Sequence, residues 1–435
     1  MSKFKVTGKK RLSGKLAISG NKNEALPLIA AALLTKKKTV LTNVPAIGDV
    51  EGMCAIATHL GALIETKDHT VTIHSDHIRT ATLPLELSQK IRGSILFAST
   101  LLVRTGEAII PQPGGDRIGR RRIDTHFLVF EKLGARISSQ RKMTESGDEC
   151  FTYILTAPQG LIGTDIYLDE ASVTATENAL IAASGAQGTT TITNAACEPH
   201  VQGLCRFLQK CGVKIEGIGS NILKIHGTES YDSVQHRLGC DYIEAGSFIS
   251  LAACTNSDIT LTNVDLSVMG LILYQFRRLG ITVSTDCENG MIHIPDNQDM
   301  RIKNDLGGAI PRIADSPWPG FPADLTSIML ITATQAAGTC LIHEKMFESR
   351  LFFTDSLISM GAQIILCDPH RAVIVGPAKL SGASISSPDI RAGMALLIAA
   401  LSAEGDSVIH NIEQIHRGYE DIDLRLNALG ADIQR

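Results

Sequence analysis

The chain has 435 residues, 44% of them hydrophobic and 20% charged, with a formal net charge of −4. That length accommodates two or more domains with full cores, and the composition is that of an ordinary soluble globular protein. The slight negative balance argues against broad binding to nucleic acid or an anionic membrane. No apolar run reaches the length of a membrane span, and Met-Ser-Lys-Phe-Lys-Val at the start lacks the apolar stretch of a secretory signal. The ten cysteines form no Cys-x-x-Cys pair, which points away from zinc and disulfides and toward a cytoplasmic location.

Along the chain, Ile18-Ser19-Gly20-Asn21-Lys22-Asn23-Glu24-Ala25-Leu26-Pro27 joins a strand to an apolar helix over residues 25–34. A helix start offers free N–H donors and a positive dipole end, so Lys22 and Asn23 stand at a natural anion site, or merely cap the helix. The short strand Thr39-Val40-Leu41-Thr42-Asn43 follows, then a helix ending Leu60-Gly61-Ala62. This ending recurs as Leu133-Gly134-Ala135, Cys211-Gly212-Val213, Leu279-Gly280-Ile281, Met360-Gly361-Ala362 and Leu429-Gly430-Ala431. Each glycine is placed to take the left-handed conformation past a helix end. The strand marker recurs as well, ending at Asn194, Asn263 and His410-Asn411. All-round apolar helices over 25–34, 94–103, 178–186, 247–255, 327–336 and 394–403 precede these strands and read as buried. A period of roughly 70–80 residues is too long for a solenoid and suits a small α/β unit. Six units group as three plus three, with a boundary near the polar stretch 228–233.

Between the second buried helix and the second Leu-Gly-Ala lies Pro111-Gln112-Pro113-Gly114-Gly115-Asp116-Arg117-Ile118-Gly119-Arg120-Arg121-Arg122-Ile123-Asp124. Three glycines allow a tight loop. Four arginines surround Asp116, and guanidinium forks suit phosphate and carboxylate. The segment reads as a loop that closes over a small, multiply charged anion and brings one acid with it. Polar residues also precede the other buried helices: Arg92, Ser172-Val173-Thr174, Asp324, and Asp389 with Arg391. For these, N-caps and ion pairs compete with function. Connecting segments carry Arg350 and Arg417. No nucleophilic triad, Walker loop or metal-ligand cluster appears, and no aromatic residues interleave the basic segments.

These motifs resemble the UDP-N-acetylglucosamine 1-carboxyvinyltransferase family, the enolpyruvyl transferases of peptidoglycan synthesis, over the whole chain from Phe4 to Ile433. Gly20 to Pro27 is similar to the family's Gly-x-Lys-Asn-x-Ala-Leu-Pro. Pro113-Gly114-Gly115-Asp116 matches its active-site loop, and Phe321-Pro322-x-Asp324 and Arg417-Gly418-Tyr419-Glu420 match two further signatures. The resemblance implies two inside-out α/β domains of the EPSP synthase-like fold, each of three βαβαββ-type units, with the substrate cleft between them. It places 22–230, with the loop 111–122, in the first domain and 1–21 plus 231–435 in the second.

The implied reaction moves the enolpyruvyl group of phosphoenolpyruvate to the 3-hydroxyl of UDP-N-acetylglucosamine and releases phosphate. By resemblance Asp116, Lys22, Asp324 and Arg417 are catalytic, with Asp116 the general acid and Asp324 the base. Lys22, Asn23, Arg121, Arg391 and Arg417 would hold phosphoenolpyruvate. Asn23, Arg92, Arg121, Arg122, Ile123, Asp124, Thr125, Ser172, Val173, Asp324 and Met346 would contact the sugar nucleotide. No metal, organic cofactor, nucleic acid, membrane or obligate protein partner is implied. The alternatives are transfer to another nucleotide or to shikimate 3-phosphate, and a catalytically silent paralogue.

Three departures from the family stand out. Most members carry Cys where Asp116 stands and a minority carry Asp; free Cys is protonated at neutral pH and free Asp mostly ionised. A general-acid Asp116 therefore needs a closed, dry site or a proton from the substrate phosphate, and a carboxylate there implies resistance to the epoxide fosfomycin. Arg122 replaces a usual proline, and Cys197-Glu198-Pro199-His200 departs from Arg-Glu-Pro-Glu. Glu170 and Thr174 flank Ser172-Val173 where some members have Lys and Gly near the diphosphate.

Overall fold

The computed structural model describes residues 2–116, 118–143 and 149–435; Arg117, counted above among the loop arginines, lies outside them. Two compact units emerge. Unit 2 is Gly20–Gly115 with Arg122–Gly239, and unit 1 is Met1–Ser19, Asp116–Arg121 and Cys240–Arg435. Each has its own apolar core. The crossings fall at 19–20, two residues before the expected change at 21–22, and at 239–240, later than the expected change at 230–231. The polar stretch near 230 does not end its unit, because the chain runs on into the strand Val234–Arg237, which pairs with Thr39–Thr42. The loop is also divided: Asp116–Arg121 packs with unit 1, although Gly115 and Arg122 belong to unit 2.

The repeat is visible in the sheets. Val234–Arg237 runs parallel to Thr39–Thr42, which pairs antiparallel with Thr70–His74, and that strand with Leu63–Lys67. Around Thr189–Thr193 the same order recurs with Asp165–Tyr167, Ile222–His226 and Lys214–Glu216. In unit 1 it recurs around Asp258–Thr262, Gly338–His343 and Asp406–His410. Around Glu107–Pro111 three strands form, and an isolated parallel bridge from Thr82 to Ile109 stands in for the fourth. The fold is thus two α/β units of three βαβαββ-type repeats. The N-terminal strands complete unit 1: Lys3–Thr7 pairs with Asp406–His410, and Ser13–Ala17 with Asp258–Thr262.

Inside each unit lie the apolar helices: Lys22–Ala32, Phe97–Thr105 and Val173–Ser184 in unit 2, and Tyr242–Cys254, Thr326–Gln335 and Ile390–Ser402 in unit 1. A helix apolar all round has no face that favours water, so sheets and outer helices cover it on every side. Several of the helices' few hydroxyls bond within the helix or to the helix beside it, as buried polar groups generally do. Ser247 Oγ donates to Ile243 O at 2.8 Å, and Ser250 and Thr332 share a bond of 2.7 Å between neighbouring helices.

Both sequence markers have a backbone cause. The glycines of the six helix endings all take positive φ, from 83° at Gly280 to 115° at Gly61. Asn43, Asn194, Asn263 and Asn411 also take positive φ, from 58° to 62°. Each asparagine ends the middle strand of its repeat, and its Nδ2 donates to the parallel neighbour, at Leu238 O, Leu168 O, Ile18 O and Ser387 O over 2.7–3.0 Å. Asparagine tolerates the left-handed region better than most residues and supplies the donor as well. Among the described residues no helix is long and apolar enough to cross a membrane.

Candidate active site

In unit 1 the polar residues expected at the helix starts come together. Asp324 lies in a short 3-10 turn ahead of the inner helix Thr326–Gln335. Arg391 is the second residue of Ile390–Ser402, whose N-cap is Asp389; the Asp389 carboxylate accepts from Arg391 N at 2.8 Å and Ala392 N at 2.9 Å. Arg391 reaches back to Asp324 Oδ2 through Nε at 3.2 Å and Nη2 at 3.1 Å. Arg350, from the segment after the strand Gly338–His343, donates to Asp324 Oδ1 at 3.0 Å. Two buried guanidinium groups thus hold both oxygens of one carboxylate. Burial works against charge on Arg350 and Arg391, but Asp324 and further anionic neighbours outweigh it and raise both above the ordinary arginine value.

The segment Asp116–Arg121 closes onto this cluster. Ile118 O accepts from Ser349 N at 3.1 Å, and Arg120 N donates to Glu348 Oε2 at 3.0 Å. Arg417, just past the short helix Glu413–His416, donates through Nη1 to Asp116 Oδ1 at 2.6 Å and to Gln414 Oε1 at 2.7 Å. Arg121 is held below the ordinary arginine value, first by burial and then by the charges of Arg350 and Arg417, against the pull of Asp116 and Asp324. Four guanidinium groups therefore crowd one region of unit 1. A site of this kind favours an incoming anion with more than one charge, since each added negative group relieves repulsion among cations already desolvated. Met346, expected at the sugar nucleotide, lies in the same unit; its backbone N donates to Asp315 Oδ2 at 3.1 Å.

In unit 2 the expected residues form a second group. Lys22 opens the inner helix Lys22–Ala32, N-capped by Asn21, whose side chain accepts from Glu24 N at 3.2 Å. Lys22 is buried and its Nζ lies 3.0 Å from Asp49 Oδ2, in the first turn of Gly48–Leu60. Asn23 beside it is half-buried. Arg92, in a 3-10 turn, donates to Arg122 O at 2.6 Å. Arg122 pairs with Asp124 at 3.0 Å and Asp169 at 2.9 Å, and Thr125 donates to Asp169 at 2.7 Å. Asp169 is held below the usual carboxylate range, first by the Thr125 hydroxyl and then by Arg122. The arginine that replaces a proline thus ties the end of the loop to a neighbouring strand end.

Ser172 caps the helix Val173–Ser184, accepting from Ala175 N at 3.4 Å. Next to it a buried chain fixes one proton. Asn178 Nδ2 donates to Ile95 O at 3.2 Å and also lies 2.8 Å from His126 Nδ1. The Ile95 carbonyl only accepts, so Asn178 Nδ2 is the amide donor in both contacts and His126 Nδ1 is the acceptor. His126 then carries its proton on Nε2, 3.3 Å from Thr174 Oγ1. The Thr174 hydroxyl accepts the hydrogen bond from that N–H.

Sequence reasoning left Asp49, Asp169 and the His126–Asn178 pair out of the site, and passed over Arg350 as one arginine in a connecting segment. Arg350 had a local sign, in the run Phe347-Glu348-Ser349-Arg350, but nothing in the run distinguishes a buried arginine from a surface one.

Apolar helices inside two units of three repeats, with arginines and aspartates at the helix starts, define the architecture of an enolpyruvyl transferase. The chain belongs to the EPSP synthase family, whose model, described as EPSP synthase (3-phosphoshikimate 1-carboxyvinyltransferase), matches residues 6–426. Its relatives include proteins named UDP-N-acetylglucosamine 1-carboxyvinyltransferase. The one from Treponema denticola is 51% identical, covering 100% of this chain and 99% of the relative. That from Bradyrhizobium diazoefficiens is also 51% identical, over 99% and 97%. Among solved structures, the enolpyruvyl transferase NikO from Streptomyces tendae superposes with a TM-score of 0.84 at 25% identity, covering 99% of this chain and 98% of that one. EPSP synthase from Acinetobacter baumannii shares the fold, with a TM-score of 0.74 at 19% identity over 100% of both chains.

Proposed function

We propose that this chain transfers the enolpyruvyl group of phosphoenolpyruvate to the 3-hydroxyl of UDP-N-acetylglucosamine, releasing phosphate, in the committed step of peptidoglycan synthesis. The identity to relatives of that name over the whole chain carries the reading. The cluster of Arg121, Arg350, Arg391 and Arg417 supports it, since phosphoenolpyruvate presents both a carboxylate and a phosphate.

In this reading Lys22, Asn23, Arg121, Arg391 and Arg417 bind phosphoenolpyruvate. Arg92, Arg122, Ile123, Asp124, Thr125, Ser172, Val173 and Met346 bind the sugar nucleotide, together with Asn23, Arg121 and Asp324. Asp324 accepts the proton of the 3-hydroxyl as its oxygen bonds to C2 of phosphoenolpyruvate. Asp116 gives a proton to C3, so the double bond becomes a methyl group and a tetrahedral ketal results. Loss of a proton from that methyl group then expels phosphate and restores the double bond in the product. Asp116 must carry a proton to act, and the substrate phosphate is a group able to bring one. The arginines stabilise the charge on the departing phosphate. The free state of all ten cysteines suits a cytoplasmic enzyme.

Phosphate release from phosphoenolpyruvate, measured with UDP-N-acetylglucosamine as acceptor, tests the reading. Turnover is expected with that acceptor. Turnover with shikimate 3-phosphate or another nucleotide instead would overturn it.

A further inference from the structure

The repeat makes one position conspicuous. In four repeats an asparagine follows the middle strand and donates to the parallel neighbour. In the repeat built on Gly338–His343 the residue in that place is Glu344. Its neighbour across the parallel pair is Asp315, which follows the strand Arg312–Ala314. An ionised glutamate cannot donate there; a protonated one can.

Glu344 is fully buried. Among the described residues no donor meets strict bonding geometry at either of its carboxyl oxygens, although the Asp315 carboxyl and the Thr326 hydroxyl lie near enough to act on it; Arg350 Nε, likewise without such a partner, lies 3.6 Å from Glu344 Oε2. Arg350 therefore stands between two carboxyl groups, bonded at 3.0 Å to Asp324 and poised just beyond bonding distance from Glu344. The other groups facing Glu344 are the Asp315 carboxylate, the Thr326 hydroxyl at the inner helix start, and His370, whose Nδ1 lies 2.8 Å from the Glu344 backbone carbonyl. Asp315 already accepts from the backbone N–H groups of Lys345 and Met346, which fixes it as the acceptor of the pair. Burial pushes the Glu344 carboxyl up to about 8; Arg350 opposes this and Asp315 adds to it.

We propose that Glu344 is a positioning residue for the transfer reaction: in its neutral form it donates to Asp315 and leaves Arg350 to clamp Asp324, and on ionising it draws Arg350 away. The proposal rests on the reading of Asp324 as the base. Arg350 bonds Asp324 through Nη2, and Glu344 lies on its Nε side at 3.6 Å, so the guanidinium must shift to bond an ionised Glu344. Ionisation of Glu344 turns the guanidinium toward the new charge and frees one Asp324 oxygen from its fixed orientation.

The test is the pH profile of kcat for phosphate release at saturating substrates, for the wild type and Glu344→Gln. Glutamine keeps a donor for Asp315 but cannot ionise. The wild type should lose activity above a midpoint of about 8, by about tenfold per further pH unit, as one ionisation requires. In Glu344→Gln that alkaline limb should move up by at least one pH unit. If Glu344→Gln does not fold, Asp315→Asn provides the second reading. It removes the charge that favours the neutral form, so the limb should move to lower pH. Coincident limbs in wild type and Glu344→Gln, or an unshifted or raised limb in Asp315→Asn, would overturn the proposal. Asp324→Asn separates this from a failure of the base assignment, since loss of the base lowers kcat at every pH.

Discussion

Replacing Asp324 should separate what this carboxylate does for stability from what it does for catalysis. It is 29% exposed, while its partners Arg350 and Arg391 are 3% and 4% exposed. Removing one member of a buried ion pair costs about 3–5 kcal/mol, because the partner charge stays desolvated. The partial exposure of Asp324 lets water reach the vacated place, which argues for the lower end, ~3 kcal/mol for Asp324→Ala. The cost falls on Arg350, whose other carboxyl neighbour Glu344 lies beyond bonding distance and is held neutral by burial, and on Arg391, whose Nη1 already lacks a partner in strict geometry among the described residues. For a unit of roughly 200 residues this lowers Tm by roughly 6–12 °C. Asp324→Asn keeps one acceptor oxygen and turns an amide donor on the other arginine, so it should cost about one charged hydrogen bond, roughly 1.5–3 kcal/mol. Both variants lose the base, and kcat for phosphate release should fall by roughly 10²–10⁴. Thermal melts should thus rank wild type, Asn, Ala, while activity places Asn and Ala together. An Asp324→Asn enzyme within tenfold of wild-type kcat would refute the base assignment. An Asp324→Ala protein with the wild-type Tm would refute the clamp.

Three further outcomes are expected. Gly134→Ala should cost about 1–2 kcal/mol for its positive φ alone, since a Cβ there meets nothing within 4 Å, whereas Gly280→Ala should cost more because its Cβ would lie 2.4 Å from Arg301 N; equal denaturation midpoints would contradict this. Glu177 is buried and held well above the usual carboxylate range, first by burial and then by Glu198. Its folded form thus keeps a proton that the unfolded chain loses, so its contribution is fully present below the unfolded value and fades as pH rises toward the folded one. As pH rises above the ordinary glutamate range the wild type should lose more Tm than Glu177→Gln, and parallel melting curves would count against that. Finally, the wild type should resist fosfomycin and Asp116→Cys should become sensitive, a thiolate being the better nucleophile; time-dependent inactivation of the wild type would refute it.

Much of the fold was legible in the chain because it rests on local rules repeated from unit to unit, six times for the glycines and the inner helices and four for the asparagines. A left-handed glycine after a helix, an asparagine after a strand and an apolar run with no polar face each leave a mark on a few consecutive residues. Lys22, Asp324 and Arg391 were legible for a related reason: each sits at a helix start, where the backbone itself attracts charge or a cap. Which charges meet was not legible. Arg350 joins Asp324, Arg417 joins Asp116, and Lys22 joins Asp49. The loop 111–122 shows the limit most clearly: one continuous basic run divides so that Asp116–Arg121 packs with unit 1 while Arg122 pairs with Asp124 and Asp169 in unit 2. By itself the sequence determined the repeat, the helices and the kind of ligand, since these follow from periodicity and side-chain chemistry. Only the tertiary structure decided the pairing of each charge and the burial that turns Glu344 into a proton-holding acid, because both depend on residues brought together from distant parts of the chain.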